Sequence, residues 1–155
     1  MTLPKPASRS IVALTAFACL ALALGWPEWR MKVQAVYYKT GTIHDLGTLG
    51  GTFGSALDIN GKGQVAGYSP LSNGSPRAFF WENGVMQDLG TLGGSISWAF
   101  ALNDRRQVVG YSETSGAFIT HAFLWENGVM TDIGPPGSGF SMAQDINHKG
   151  QITGF

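Results

Sequence analysis

Three aspartates at matching positions are the first residues that could do chemistry. Asp45, Asp88 and Asp132 each precede a Gly-containing segment, and they are separated by 43 and 44 residues. Carboxylates repeated in this way could form an acidic ring on one face of a folded protein. Because an Asp side chain readily bonds nearby backbone amides, we favour a turn-capping role beside the glycine segment.

A second acidic pattern resembles the start of a calcium-binding loop. The run Asp58-Ile59-Asn60-Gly61-Lys62-Gly63 begins like such a loop, and Asp145-Ile146-Asn147 repeats its first residues. An EF-type loop needs oxygen ligands at positions 1, 3 and 5 and a Glu at position 12. Position 5 is Lys62 and position 12 is Ser69. The run is therefore interpreted as a hairpin turn.

Glycine pairs, histidines and serines offer no further site. Gly50-Gly51 and Gly93-Gly94 lack the Lys and the helix start that a phosphate loop needs, so we expect tight turns there. The three histidines, at different offsets in the repeated pattern, are expected to be separate surface side chains: His44, His121 and His148. No Gly-x-Ser-x-Gly nucleophile elbow is visible. The sequence thus predicts no catalytic, cofactor-binding or metal-ligating residue and no cofactor.

The first 25 residues have the pattern of a secretory signal peptide. Lys5 and Arg9 precede the uncharged apolar run 11–25, which ends in small residues. Residues 1–25 are predicted to be the leader, cleaved near residue 25, and residues 26–34 a linker; an uncleaved anchor is the alternative. The single Cys, Cys19, lies inside the leader. We therefore expect a secreted, extracellular or periplasmic chain with no stable membrane span after cleavage.

The rest of the chain contains three copies of one sequence unit. DLGTLGG occurs at 45–51 and 88–94, and WENGVM occurs at 81–86 and 125–130. Aligned on the aspartates, the copies share an Ala, an Asn, a Gln and a Gly at fixed offsets. The units are 35–68, 78–111 and 122–155. The segments between them, 69–77 and 112–121, are expected to be exposed loops.

Each unit contains about four short strand signals. An Asn-Gly turn separates two apolar runs in one hairpin, and a turn around Gly61-Lys62-Gly63 closes the next. The predicted fold is all-β, made of repeated four-stranded antiparallel units like β-propeller blades. An open β-solenoid or a stack of hairpin units is the alternative. Three blades are an incomplete propeller or a fragment, so we expect a truncated product or a homo-oligomer, such as two chains completing six blades.

The matched positions have structural interpretations. Trp81, Trp125 and the shifted aromatic Tyr38 are expected to bury their rings between units. The recurrent Ala and Gly positions are expected to permit close approach of strands. The asparagines that open the second turn of each unit can bond the backbone two residues on: Asn60, Asn103 and Asn147.

These motifs resemble those of the HAF-family extracellular repeat of bacterial exported proteins. The resemblance rests on the DLGTLGG, WENGVM and IN-x-x-GQ elements and covers about residues 35–155. The chain departs from the pattern at AVYYKTGTIHD and at Pro135-Pro136-Gly137. The resemblance implies export and a repeated β architecture, and it implies no activity and no catalytic residues.

Composition narrows the function classes. The ten basic and ten acidic residues balance, so there is no excess positive charge for nucleic-acid binding. Charged residues make up 13% and Gly numbers 22, which fits a turn-rich β protein. We expect a non-enzymatic exported module that binds an unknown protein or a surface glycan. The alternatives are a fragment of a propeller hydrolase or lyase, and a passenger segment of a cell-surface or autotransported protein.

Overall fold

Short antiparallel strands build the described part of the chain. The computed structural model describes residues 34–116 and 119–155, so the predicted signal peptide and most of the linker lie outside it. Within those ranges there is no helix, and hence none that could cross a membrane. The all-β prediction is confirmed. The strands are β1 (Val36–Lys39), β2 (Thr42–Asp45), β3 (Ser55–Ile59), β4 (Val65–Pro70), β5 (Pro76–Glu82), β6 (Val85–Asp88), β7 (Gly93–Leu102), β8 (Val108–Thr114), β9 (Thr120–Glu126), β10 (Val129–Asp132), β11 (Ala143–Ile146) and β12 (Ile152–Gly154).

These strands form two four-stranded sheets and two strand pairs. The sheets have the orders β3-β4-β5-β6 and β7-β8-β9-β10, while β1 pairs with β2 and β11 with β12. Each four-stranded sheet therefore joins the second hairpin of one sequence unit to the first hairpin of the next. The expectation that 69–77 and 112–121 are exposed loops is wrong at their ends, because β4 continues to Pro70 and β8 to Thr114. Ser69 and Ser112 are fully buried.

The β5–β6 and β9–β10 hairpins turn at Asn-Gly pairs, as predicted. Asn83 and Asn127 have φ angles of 50° and 53°, and the glycines that follow them both have φ of 85°. Two successive residues with positive φ match the right-handed twist of the flanking strands, and Asn and Gly tolerate that conformation best. In the first hairpin Thr40 takes the Asn position, with φ of 43°.

A β-bulge explains the recurrent Ala and Gly positions. The register shifts between Ala56 and Asp58 in β3, and again at the matching positions of β7 and β11. Gly67, Gly110 and Gly154 lie opposite these bulges. A Cβ on any of them would overlap a backbone carbonyl oxygen, that of Trp98 in the case of Gly110. The predicted close approach of strands is confirmed, and it requires glycine.

Apolar side chains fill the three spaces between neighbouring sheets. Trp125, Phe80, Phe123 and Val108 belong to the largest cluster, formed by the two four-stranded sheets. Trp81 and Phe79 pack with Ala35 and Leu46 near the β1–β2 pair. A third cluster joins β8 and β9 to β11 through residues that include Val109, Ala122 and Ile146.

The aromatic prediction is confirmed for the tryptophans and wrong for Tyr38. Trp81 and Trp125 are 9% and 3% exposed, whereas Tyr38 is 65% exposed. Strands β5 and β9 are flanked on both sides, by β4 and β6 and by β8 and β10, but β1 pairs only with β2 among the described strands. Its neighbour Tyr37 points inward instead, with its ring 5.5 Å from that of Trp81.

The bulge predicts a large effect for a single methyl group. Gly110→Ala should lower the free energy of unfolding by about 1–3 kcal/mol, because the new Cβ forces β7 away from β8. Urea unfolding measures this change. Gly139→Ala is the control, since nothing lies within 4 Å of a Cβ there and its φ is not positive. Equal stability of the two variants would contradict the bulge geometry.

Candidate functional site

A row of six aromatic rings runs across the sheets. Tyr68 of β4 stacks on Trp98 of β7 at 3.8 Å between ring centroids, and Trp98 lies 6.2 Å from Tyr111 of β8. Phe53 extends the row beyond Tyr68 at 6.3 Å. At the other end Phe140 lies 6.5 Å from Tyr111 and 5.7 Å from Phe155. We call these six residues the aromatic row.

The aromatic row is half-buried in its middle and exposed at its ends. Phe53, Phe140 and Phe155 are 40%, 51% and 65% exposed, while the central rings are half-buried. Burial first, and then Tyr68 and Glu113, raise the pKa of Tyr111 above its usual range. Its hydroxyl therefore remains a neutral hydrogen-bonding group into alkaline solution.

The backbone places the rings through the same bulged strand pair in each sheet. Tyr68 and Tyr111 directly follow the glycines opposite the bulges, and Tyr68 pairs with Ser55 where Tyr111 pairs with Trp98. The sequence carried part of this signal, since Tyr68, Tyr111 and Phe155 share one offset of the repeat. Trp98 has no such signal, because the matching residues are Ser55 and Met142. The row was not predicted.

At the other end of the same strands, asparagine side chains link neighbouring sheets. Asn60 Oδ1 accepts hydrogen bonds from the amides of Lys62 and Gln64, both at 3.0 Å, which closes its own turn. Its Nδ2 donates to Gln64 Oε1 at 2.6 Å and to the backbone carbonyl of Asn103 at 3.0 Å. The predicted turn role is confirmed, and the link to the next sheet is additional.

The same bonds recur one copy later. Asn103 Nδ2 donates to Gln107 Oε1 at 2.7 Å and to the carbonyl of Asn147 at 3.1 Å. Gln107 Nε2 in turn donates to Glu126 at 2.7 Å, as Gln64 Nε2 does to Glu82. These side chains have their hydrogen-bonding capacity used inside the protein, so they are structural groups.

Asp58 contributes to the same contact between neighbouring sheets. Its carboxylate accepts the amides of Ile59 and Leu102, each at 2.8 Å, and so ties β3 to β7. Burial is the largest influence and raises the pKa of Asp58; the Asp145 carboxylate adds to the rise. The hairpin-turn interpretation is confirmed. No group of three or more His, Cys, Asp or Glu residues in the described ranges could hold a metal ion.

The recurrent aspartates cap turns, as we favoured from the sequence. Asp45, Asp88 and Asp132 each accept the amide of the residue two positions on, a glycine, at 2.8 Å. The expectation of tight turns at the double glycines is wrong for Gly93-Gly94, which begin strand β7. Gly50 and Gly93 have φ of 103° and 110°.

Buried serines are hydrogen-bonding centres that sequence reasoning missed. Ser69 and Ser112 accept the amides of Leu49 and Leu92, at 3.0 and 2.9 Å. Ser97 and Ser141 accept those of Ala78 and Ala122, at 3.0 and 2.9 Å. The recurrence of each pair at one offset was the available signal. All four hydroxyls accept hydrogen bonds from backbone amides, which gives them a structural role.

The histidines are separate from one another, as predicted, but they are not all free surface side chains. His44 stacks on Tyr37 at 4.5 Å, and His148 is exposed. His121 is bound at both ring nitrogens, by Asp132 Oδ2 at 2.7 Å and by the carbonyl of Ser138 at 2.9 Å. The bond to Asp132 is the main reason that the pKa of His121 is raised.

An open cleft of about 790 Å³ lies beside the first hairpin. Its walls are the β1–β2 hairpin, the turn 59–63 and the turn 81–84. Lys39, Lys62 and Glu82 are its charged residues besides Asp45, and His44 lies in the wall with its ring against Tyr37. This arrangement contains no nucleophile activated by a neighbouring base.

No protein-family model matches this chain, and neither a curated protein nor a solved structure matches it. The resemblance to the HAF-family repeat therefore stays a prediction from the sequence motifs. The chemistry of the described residues has to be judged from their own geometry. By that criterion the aromatic row and the cleft are the two candidate binding surfaces.

The hydrogen bonds of Asn103 predict that loss of its side-chain NH2 group lowers the free energy of unfolding. Asn103→Asp should destabilise the protein by about 3 kcal/mol, because the side chain loses both donors and its carboxylate faces two acceptor oxygens. Asn73→Asp is the control, since Asn73 is exposed and only its Oδ1 is used, by the amide of Ser75. The measurement is urea unfolding of both variants. A cost for Asn103→Asp no larger than that of the control would contradict the link.

The raised pKa of His121 predicts a pH dependence. The folded state binds the proton more tightly than the unfolded state, whose pKa is about 6.5. The stability that the ion pair with Asp132 supplies is therefore complete below about pH 6.5 and is lost as the pH rises through the folded pKa. His121→Gln should cost more at about pH 5.5 than at about pH 8.5. His148→Gln is the control, and an equal cost of His121→Gln at both pH values would contradict the prediction.

Proposed function

We propose that this chain is an exported, non-enzymatic module whose sheets are successive β-propeller-like blades and whose aromatic row binds a glycan. The aromatic row is the observation that supports a glycan as the ligand. Export is supported by the leader-like sequence 1–25 and by the resemblance of the repeats to extracellular HAF repeats.

The blade arrangement is supported by hydrogen bonds between the edge strands of neighbouring sheets. Asp58 of β3 accepts the amide of Leu102 in β7. Asn60 links the turn after β3 to the turn after β7, and Asn103 links that turn to the turn after β11. The Asp145 carboxylate, two sheets further on, still raises the pKa of Asp58. Edge strands that stay close over three sheets fit convergence on a central axis, as in a propeller, better than a flat stack.

A glycan fits the aromatic row because of its shape and polarity. Sugar rings present faces of C–H groups, which pack well on the electron-rich faces of aromatic rings. The exposed rings Phe53 and Phe140 supply such surfaces at two places in the row, and hydroxyl-bearing Tyr68 and Tyr111 lie between them. A single row of rings suits a linear chain of sugars better than the broad apolar patch typical of a protein interface.

A binding assay with two exposed rings removed tests this function. The purified protein should be retained by insoluble β-1,4-linked polysaccharide, with chitin and cellulose as the probes. Phe53→Ala together with Phe140→Ala should weaken this binding at least about tenfold, because each lost ring contact is worth about 1 kcal/mol. Both rings are substantially exposed, so the fold should survive, and circular dichroism checks this.

Val85→Ala together with Val129→Ala is the matched control. These side chains are 66% and 61% exposed and lie on β6 and β10, away from the row. The control pair should bind like the unmodified protein. Failure of the unmodified protein to bind either polysaccharide, or an equal loss in the two double variants, would contradict a glycan site in the row.

A further inference from the structure

The two strand pairs are complementary halves of one four-stranded sheet. In β11–β12 the pairs Ala143–Gly154 and Ile146–Ile152 match Ala56–Gly67 and Ile59–Val65 of β3–β4, with the bulge at the same place. In β1–β2, Tyr38 pairs with Ile43 as Trp81 pairs with Met86 in β5–β6. Joining β12 to β1 would reproduce the order β3-β4-β5-β6.

Both pairs are unpaired on the edges that would meet. Strand β12 pairs only with β11 and β1 only with β2 within the described ranges. The largest exposures among the apolar side chains there are those of Ile43, Tyr38 and Phe155, at 71%, 65% and 65%. An unpaired strand edge with apolar side chains beside it is a template for adding another strand.

The cleft beside the first hairpin has the walls that such an addition needs. In the first four-stranded sheet, the turn around Asn60 lies next to β5 and against the turn around Asn103. The cleft is bounded by the matching elements, which are β1 and the turn around Asn60. In the first sheet the turn around Asn60 precedes the turn around Asn103 and contacts it. No described turn of the same chain contacts the turn around Asn60 in this way from the side of β1. The turn around Asn147 is the segment with the matching sequence.

Two polar groups of that turn have capacity left for such a contact. Asn147 Nδ2 donates to Gln151 Oε1 at 2.8 Å, but the bond to a following Asn carbonyl that Asn60 and Asn103 make has no counterpart among the described residues. The Asp145 carboxylate accepts the amide of Ile146 and, within 34–116 and 119–155, no second amide, unlike that of Asp58.

We propose that two copies of this chain join by reciprocal strand addition, with β12 of each copy pairing with β1 of the other. The register follows from β4–β5, where Val65 pairs with Trp81 and Ala66 with Phe80. Ile152 of one copy thus pairs with Tyr38 of the second copy, and Thr153 with Tyr37. The turn around Asn147 fills the cleft, and Asn147 Nδ2 donates to the carbonyl of Asn60 in the second copy.

Reciprocal addition gives a closed pair with two-fold symmetry. The described residues of each copy contribute two complete sheets and two halves. Those residues of the pair therefore form six four-stranded sheets, in which neither β1 nor β12 keeps a free edge. This inference rests on the proposed blade arrangement and is independent of the proposed glycan. Loss of polysaccharide binding would leave it unaffected, and a monomeric protein would leave the glycan site unaffected.

Disulfide trapping tests the register. In a full-length Cys19→Ser background, Tyr38→Cys with Ile152→Cys should oxidise to a covalent dimer on a non-reducing gel, because directly paired positions lie within disulfide range. Tyr38→Cys with Thr153→Cys is the control, since a shift of one residue puts the two sulfur atoms on opposite faces of the sheet. Dimer from the first variant and not from the control is the expected result. Free thiols, a disulfide within one chain, or equal dimer from both variants would overturn the proposal.

The mass of the protein in solution tests the assembly without cysteines. Light scattering of the unmodified protein should give twice the chain mass. Asn147→Asp should keep the fold but raise the dimer dissociation constant at least about tenfold, because two carboxylates then face carbonyl oxygens. Asn73→Asp, an exposed turn variant, should leave the mass unchanged. A well-folded monomer, or an Asn147→Asp protein that dimerises as tightly as the unmodified one, would overturn the proposal.

Discussion

The contacts between neighbouring sheets depend on the hydrogen bonds of the asparagine side chains in the turns after β3 and β7. An amide side chain offers an acceptor and two donors on one short stem. Asn60 uses the acceptor to close its own turn and the donors to hold Gln64 and the carbonyl of Asn103. Asp has no donors when ionised, and Ser has only one. Turn closure and the spacing between sheets are thereby fixed by the same group.

Once this spacing is fixed, the remaining features of each sheet follow. The bulge in the edge strand pushes a carbonyl toward the neighbouring strand, and only glycine leaves room for it. The copies differ where the constraint is weaker. Arg106 stands where the other two copies have a glycine, at a φ of 63° that is unfavourable for a residue with a Cβ. The Arg106 side chain lies 3.1 Å from Glu82 and over the ring of Phe80, two contacts that a glycine cannot make.

Sequence patterns predicted the hairpins but not their grouping into sheets. Asn-Gly turns and alternating apolar runs act over a few residues, so the local pairs β5–β6 and β3–β4 could be predicted. A periodic sequence looks the same wherever a unit is taken to begin, and the division at 68 and 78 therefore separated strands that pair. Ser69 shows the true continuity, because it belongs to β4 and pairs with Arg77 of β5 across that division. The predicted burial of Tyr38 was wrong for the same reason, because the burial of its ring depends on which strands lie beside β1.

The candidate site was harder to predict than the fold because it lies where the copies disagree. At the turn end the residues Asn60 and Gln64 recur in every copy, and their polar groups are used in holding the strands together. At the opposite end of the strands the backbone is equally regular, but the side chains vary. One matched position holds Ser55, Trp98 or Met142. Regular strands thus supply a fixed spacing of attachment points, and the unmatched residues decide which rings meet. The residues that would select a ligand for this surface therefore differ between the copies, and a comparison of the repeats does not identify them.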